Sequence, residues 1–270
     1  MKKWKVGIIG CGAIGSALAK ILSREFHAHA VLSCLCDRKK EKAERLARAL
    51  SGKIRIVSLG RLILSCDLII EAASAAVSAR IAEESLARNK NVLIMSVGGL
   101  LAGGRIPRLL KRSRGKLWIP SGAVAGVDAL LAAREAKVRG VKLLTTKPAA
   151  ALEHAPYFLR RKFPVLRGRR PRCVFKGSAR EAIRAFPQNI NVAAILSLAG
   201  IGASRTRVEI WASRASRTNR HEVVIEGDFG KMRAVSENVP SPANPKTSYL
   251  AILSAAATLR RIFSPLQLGT

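Results

Sequence analysis

The chain has 270 residues, 49% hydrophobic and 4% aromatic, with 48 Lys and Arg against 17 Asp and Glu for a formal charge of +31. That length and apolar content support one large core or two modest ones and exclude a disordered chain. The apolar runs, such as 67–76 and 191–202, fall short of the roughly 20 residues a membrane helix needs. Met1-Lys-Lys-Trp4 leads straight into a strand-like run, leaving no room for a three-part signal peptide, so a cytoplasmic protein is expected. A basic excess of this size attracts polyanions at low salt. It is spread along the chain with few aromatics, and its densest stretch, 159–172, has the Pro and Gly breaks of a solvated loop. The charge is therefore read as a surface property, and nucleic-acid binding is disfavoured. Cys11, Cys34, Cys36, Cys66 and Cys173 show neither Cys-x-x-Cys nor Cys/His metal spacing, so no metal is expected.

Residues 4–9 form a β-branched run, followed by a glycine loop at 10–15 and then by Leu18, Ile21 and Leu22 at helical spacing, which predicts strand, turn, helix. A second apolar strand, 30–36, ends at Asp37. Residues 38–50 are helical in pattern, 67–73 and 91–97 read as strands buried on both faces, 77–88 and 106–112 as helices, and 116–119 as a return to the sheet. This alternation specifies α/β architecture with right-handed crossovers, a doubly wound parallel Rossmann sheet. Beyond Pro120 the rhythm changes. A glycine-punctuated turn at 121–130 opens a helix, strands are predicted at 140–146, 172–175, 206–212 and 222–227, and helices at 178–185 and 191–198. Residues 240–245 read as a rigid proline connector and 247–262 as a long helix. The expected organisation is a dinucleotide-binding domain over 1–122, a second α+β domain with a mixed or antiparallel sheet over 123–242, and a C-terminal segment, 243–270, that packs back on the first; the active site is expected in the cleft between the domains.

In Gly10-Cys-Gly12-Ala13-Ile14-Gly15, the first glycine permits a tight strand exit, the second lets a pyrophosphate approach the backbone, and the third allows close packing of helix on strand; the helix N-terminus adds partial positive charge. Set between a strand and a helix, with Asp37 ending the next strand, the loop predicts a dinucleotide site. Asp37 suits the ribose hydroxyls of NAD, while Arg38 and the two lysines after it suit the 2′-phosphate of NADP, so the choice stays open. His27, His29 and His154 fall in connecting segments. His221, in Asn219-Arg-His-Glu222 at the mouth of a predicted strand, is placed where loops present catalytic groups. It can relay a proton from amine oxidation or activate the water that hydrolyses an imine. Asn189, just before a predicted helix, also fits a helix cap.

Several segments are informative together: Ile119-Pro-Ser-Gly-Ala-Val-Ala-Gly-Val-Asp128, Thr145-Thr-Lys-Pro148, Phe175-Lys-Gly-Ser-Ala-Arg-Glu-Ala182, Phe186-Pro-Gln-Asn-Ile-Asn-Val-Ala-Ala194, Asn219-Arg-His-Glu222, Gly227-Asp-Phe-Gly230 and Asn244-Pro-Lys-Thr-Ser-Tyr-Leu250. With the glycine loop, and in this order, they resemble the L-aspartate dehydrogenase family. The resemblance implies oxidation of L-aspartate to iminoaspartate at the head of NAD biosynthesis, with hydride passing from Cα to the nicotinamide and the imine leaving or hydrolysing to oxaloacetate and ammonia. It implies that Ala123 and one of Asn189 and Asn191, preferably Asn191, contact NAD or NADP, that His221 is the catalytic residue, and that the chain forms a homodimer through the second-domain sheet. A substrate with two carboxylates needs cationic or amide donors, for which Lys147 and Lys246 are the candidates, although each also fits an exposed loop lysine. The chain departs from the family in its excess of Arg and Lys, including Lys176, which bears on substrate range. The alternatives are a homoserine-dehydrogenase-like or dihydrodipicolinate-reductase-like enzyme, or a basic nucleotide- or nucleic-acid-binding protein without turnover.

Overall fold

The structure is a computed structural model that describes residues 2–159, 161–166, 168–187, 191–242 and 244–270, with Pro245 and Lys246 described by their backbone alone. It divides into two compact units, Met1–Pro120 with Ile252–Leu266, and Ser121–Ala251 with Gln267–Thr270.

The first unit runs β1 (Trp4–Ile9), α1 (Ala13–Glu25), β2 (Ala30–Cys36), α2 (Lys40–Arg48), β3 (Arg55–Ile56), α3 (Leu59–Ser65), β4 (Leu68–Glu71), α4 (Ala75–Ala87), β5 (Asn91–Ile94), α5 (Ile106–Arg112) and β6 (Leu117–Trp118). Its six strands are all parallel, in the order β3-β2-β1-β4-β5-β6. Every residue of β4 is buried, as are Val6, Gly7, Ile8 and Ile9 of β1. Strands apolar on both faces are stable only when helices cover both sides, and each such Ile or Leu contributes roughly 1.5–3 kcal/mol. The chain order reverses between β1 and β4, the topological switch point beyond whose carboxyl ends ligands bind in open α/β sheets.

The second unit runs α6 (Val127–Ala133), β7 (Val138–Pro148), α7 (Pro156–Leu159), β8 (Arg172–Ser178), α8 (Ala179–Ala185), α9 (Asn191–Ala199), β9 (Arg207–Ser213), β10 (Asn219–Gly227), β11 (Gly230–Asn238), β12 (Pro240–Ser241) and β13 (Asn244–Ser248). Helix α10 (Tyr249–Phe263) follows. From Ile252 it belongs to the first unit, where Ala255 and Leu259 are fully buried with Leu18, Leu22 and Phe26, and where Phe263 meets Trp4 edge-on at 5.6 Å. The second sheet has the order β11-β10-β7-β9-β8 and is mixed: β7 and β9 are parallel, and every other pair is antiparallel. One face buries Val141, Leu143, Val208, Ile210, Val223 and Ile225 in a core shared with Ala182, Ala193 and Leu196. The period of two that lines up this face continues along the strands into Thr145 and Lys147 of β7, His221 and Asn219 of β10, and Ser236 and Asn238 of β11. The opposite face is charged, with Glu209 bridged to Lys142 and Lys176 at 3.0 and 3.1 Å, and Glu222 bridged to Arg220 and Arg233 at 2.9 and 2.7 Å.

Three local expectations change. Residues 240–245 are not a bare connector, because β12 and β13 pair antiparallel there, and α10 begins two residues later than its pattern suggested. Strand β11 was not anticipated; it is an edge strand whose alternate residues are charged and whose inward face ends in Ser236 and Asn238, so the apolar signal is weak. His221 lies inside β10, not at its mouth, because pairing with β7 and β11 extends the strand back to Asn219.

Candidate active site

In the first unit the loop after β1 is shaped by backbone contacts. Gly10 has φ +94°, and a Cβ there would lie 2.5 Å from the Ala72 carbonyl oxygen; a Cβ at Gly15 would lie 1.8 Å from the Gly10 carbonyl oxygen. Gly12 is different, since a Cβ there would meet nothing within 4 Å. Packing thus requires glycine at 10 and 15, whereas the space over Gly12 is open, as close approach of a pyrophosphate to the backbone would need. Gly12 is also the N-cap of α1, which has no side-chain cap and no acid in its first turn, so amide groups and dipole remain for an anion. Ala13 and Ile14 are half-buried in that turn. These features fit a dinucleotide.

Asp37 sits against this loop. Its Oδ2 accepts the Cys11 amide at 2.7 Å and its Oδ1 the Lys39 amide at 2.8 Å, so the carboxylate ties the end of β2 to the glycine turn while each oxygen keeps a further lone pair. Arg38 and Lys39 are exposed beside it. A residue the sequence reading passed over, Glu71, is fully buried at the end of β4. It accepts the amides of Ala73, Ser74 and Ser96 and the Ser96 hydroxyl, at 2.8–3.0 Å, bracing the loops that follow β4 and β5. Burial pushes its carboxyl above the usual range, against the pull of these donors. An acid closing the run Leu-Ile-Ile-Glu was the available signal.

In the second unit the polar end of the mixed sheet gathers around His221, which is 3% exposed. Thr145 is its cross-strand partner, and the Thr145 hydroxyl lies 2.9 Å from Nδ1. Burial first, and then the charge of Lys147, push the imidazole down to about 3, so it is neutral at neutral pH. Lys147 is buried on the central strand and is not an exposed loop lysine; burial pushes its amine down to about 8. Ala123 is buried, and its carbonyl accepts the Ser236 hydroxyl at 3.0 Å and the Asn238 amide at 2.8 Å, so the loop before α6 is pinned to β11. Asn219 donates to the Ser248 hydroxyl at 3.2 Å. Asn191 opens α9 and is exposed, Asn189 lies outside the described residues, and Lys246 is described by its backbone within β13 only. Thr145, Ser236 and Asn238 were missed. The alternation 232–238, Met-x-Ala-x-Ser-x-Asn, held the signal for the last two. Among the described residues no group of His, Cys, Asp and Glu could hold a metal ion, and no helix is long and apolar enough to cross a membrane.

Residues 128–262 match the family model "Aspartate dehydrogenase, C-terminal", and residues 10–120 match "Homoserine dehydrogenase, NAD binding domain". The chain is 43% identical to L-aspartate dehydrogenase of Methanosarcina acetivorans, over 98% of this chain and 99% of that one. The chain belongs to the L-aspartate dehydrogenase family. Its fold agrees with the aspartate dehydrogenase of Thermotoga maritima, with a TM-score of 0.76 at 26% identity over 99% of this chain and all of that one. A myo-inositol dehydrogenase of Lactobacillus casei shares the fold alone, with a TM-score of 0.59 at 14% identity over 97% of this chain and 86% of that one. The homoserine name attaches only to the nucleotide-binding part. Membership of the L-aspartate dehydrogenase family rests on the region that carries Thr145, Lys147 and His221, and on the full-length relative.

Proposed function

We propose that this chain oxidises L-aspartate to iminoaspartate with NAD or NADP, in the cytoplasm and as a homodimer, as a step of pyridine nucleotide synthesis. The observation that carries the reading is the neutral, buried His221, fixed at Nδ1 by Thr145 on a sheet face whose other polar groups are Lys147, Asn219, Ser236 and Asn238.

The nicotinamide cofactor supplies the hydride acceptor. Gly10, Gly12, Ala13, Ile14 and Gly15 hold its pyrophosphate at the N-terminus of α1, Asp37 with Arg38 takes the adenosine ribose end, and Ala123 with Asn191 or Asn189 orients the nicotinamide. His221 serves as acid/base or water activator: a neutral imidazole with one nitrogen engaged by Thr145 has the other for the water that adds to the imine carbon, giving oxaloacetate and ammonia. Lys246 is the candidate for a substrate carboxylate. Residues 1–122 with 243–270 form the nucleotide domain in this reading, and 123–242 the catalytic and dimerisation domain. Leu144, Trp211 and Val224, with Val235 at 45% exposure, lie among ion pairs on the outer face of the mixed sheet and support its use between two copies.

The test is steady-state reduction of NAD and of NADP with L-aspartate, L-homoserine and L-glutamate. The expected result is a kcat/KM for L-aspartate at least about a hundredfold above the others, since a buried polar site rejects an analogue that leaves its groups unpaired. Preference for homoserine, or no turnover of any amino acid, overturns the reading.

A further inference from the structure

Among the described residues, the polar end of the inner sheet face carries one buried titratable side chain besides His221, and it is Lys147; Arg172 of β8, in register with Ala212, is exposed and donates to the Val165 carbonyl. It belongs to β7, the central strand, and is 9% exposed. The groups that share this face come from all the neighbouring strands: Thr145 on β7 itself, Asn219 and His221 on β10, Ser236 and Asn238 on β11, and Ala212 on β9, which is the register partner of Lys147. None is a carboxylate. Glu209 and Glu222 are both in register with Leu144, which points to the opposite face, and there they pair with Lys142, Lys176, Arg220 and Arg233; Glu237 pairs with Arg220. The sheet therefore buries an amine beside an imidazole, while the carboxylates of Glu209 and Glu222 lie on its other face.

That arrangement suits one step of the proposed reaction, on which this inference rests. An amino acid arrives as an ammonium ion, and its nitrogen must regain a lone pair before the Cα–H electrons can leave as hydride. We propose that Lys147 is the catalytic base that takes this proton from the substrate. The N–H bond of the ammonium breaks, its electron pair stays on the substrate nitrogen, and the proton forms a new N–H bond at Nζ of a neutral Lys147. The nitrogen pair then becomes the C=N π bond as the Cα–H pair passes to the nicotinamide, and Lys147 later gives its proton to solvent, so one proton is released per turnover. Burial with a cationic neighbour holds the imidazole down to about 3, too weak a base to deprotonate an alkylammonium, whereas the amine at about 8 is well matched to it. His221 is left to orient water by a hydrogen bond and does not carry the substrate's proton. Sequence alone offered Lys147 as a carboxylate ligand or as an exposed loop lysine.

The experiment compares pH profiles of kcat/KM for L-aspartate in the wild type, Lys147→Arg, Lys147→Met and Lys147→Ala. A guanidinium keeps the charge but cannot deprotonate, and Met keeps the buried stem if the Ala variant fails to fold. The expected wild-type profile falls about tenfold per pH unit on the acid side of a limb near 8, and each variant loses that limb with about 10²–10⁴ of turnover, the usual worth of a general base. Added primary amines restore the rate of Lys147→Ala in order of basicity, which a structural role would not produce. Independently of activity, protein labelled with 13C at lysine Cε shows one resonance titrating near 8 that is missing from Lys147→Arg. Full turnover in Lys147→Arg, an unchanged acid limb in the variants, or a hundredfold rise in the KM for aspartate with kcat intact overturns the assignment, the last in favour of carboxylate binding. A wild type inactive on L-aspartate yet active on another amino acid defeats the substrate reading alone, and the same profiles with that substrate then decide Lys147.

Discussion

The Thr145 hydroxyl stands 2.9 Å from Nδ1 of His221, across a register pair that joins residues 76 apart in the chain. Because both are buried, removing the hydroxyl leaves an imidazole nitrogen without its partner, at a cost of about 1–3 kcal/mol. Thr145→Val, nearly identical in shape, is expected to lower Tm and to reduce kcat about tenfold or more while leaving the Kd for NAD unchanged, and Thr145→Ser is expected to restore most of both. Binding of NAD by calorimetry, measured alongside turnover, separates the two effects; weaker NAD binding with unchanged kcat would show that Thr145 does not work through His221.

Acid stability follows from the same imidazole. His221 titrates near 3 in the folded chain and near 6.5 when unfolded. Between those values the unfolded chain binds the proton and the folded chain does not. The contribution to stability is therefore complete above about 6.5 and is lost as pH falls through the window towards 3. Urea unfolding at pH 7, 5.5 and 4 is expected to show His221→Gln losing less stability across that range than the wild type. Parallel losses in the two proteins would mean that the imidazole is not held neutral by burial.

The two halves of the candidate site differ in how much of them the sequence displays. Gly10, Gly12, Gly15 and Asp37 sit within 28 residues of one another, and the turn they build depends on local backbone conformation, so spacing alone exposes it. The parallel sheet was legible for a related reason: strands such as β4 are apolar without alternation, which only burial on both faces explains. Lys147 shows the opposite case. Lys147-Pro148 falls just past the predicted strand 140–146 and reads as a loop until β9 and β10 are laid on either side of β7, and the burial of Lys147 is a property of that pairing. Thr145 and Ser236 likewise acquire meaning only through register with His221. Strand β3, two residues long, is too short for any periodicity to mark it, whereas β6 falls within the predicted return at 116–119.

Asp37 has two jobs that substitution can separate. Its carboxylate holds the amides of Cys11 and Lys39, and it is proposed as the acid that meets the adenosine ribose. Asp37→Ala removes the acceptor for a ribose hydroxyl and the repulsion towards a 2′-phosphate, leaving Arg38 and Lys39 exposed beside the site. The expected outcome is a ratio of kcat/KM for NADP over NAD that rises at least about tenfold, accompanied by a lower Tm as the turn loses its tie. Steady-state kinetics with both cofactors measures it, and an unchanged ratio would leave Asp37 with the structural job only.

Glycines 12 and 15 offer the sharpest contrast, because the fold restricts one and leaves the other free. At Gly15 an added methyl would sit 1.8 Å from the Gly10 carbonyl oxygen, a backbone atom that cannot move without opening α1 from β1. At Gly12 the backbone has φ −78°, which alanine adopts without strain, and its methyl would touch nothing within 4 Å. Gly15→Ala is accordingly expected to destabilise the chain by several kcal/mol, beyond the ordinary range for a point substitution. Gly12→Ala changes only the N-cap of α1 and should cost about 1 kcal/mol or less. A loss of affinity beyond that must be a loss against the ligand: a methyl in the path of the pyrophosphate is expected to raise the Kd for NAD by about tenfold or more. Thermal unfolding without cofactor, set beside NAD titration, reads both quantities from one preparation; full affinity in Gly12→Ala would move the dinucleotide away from this turn.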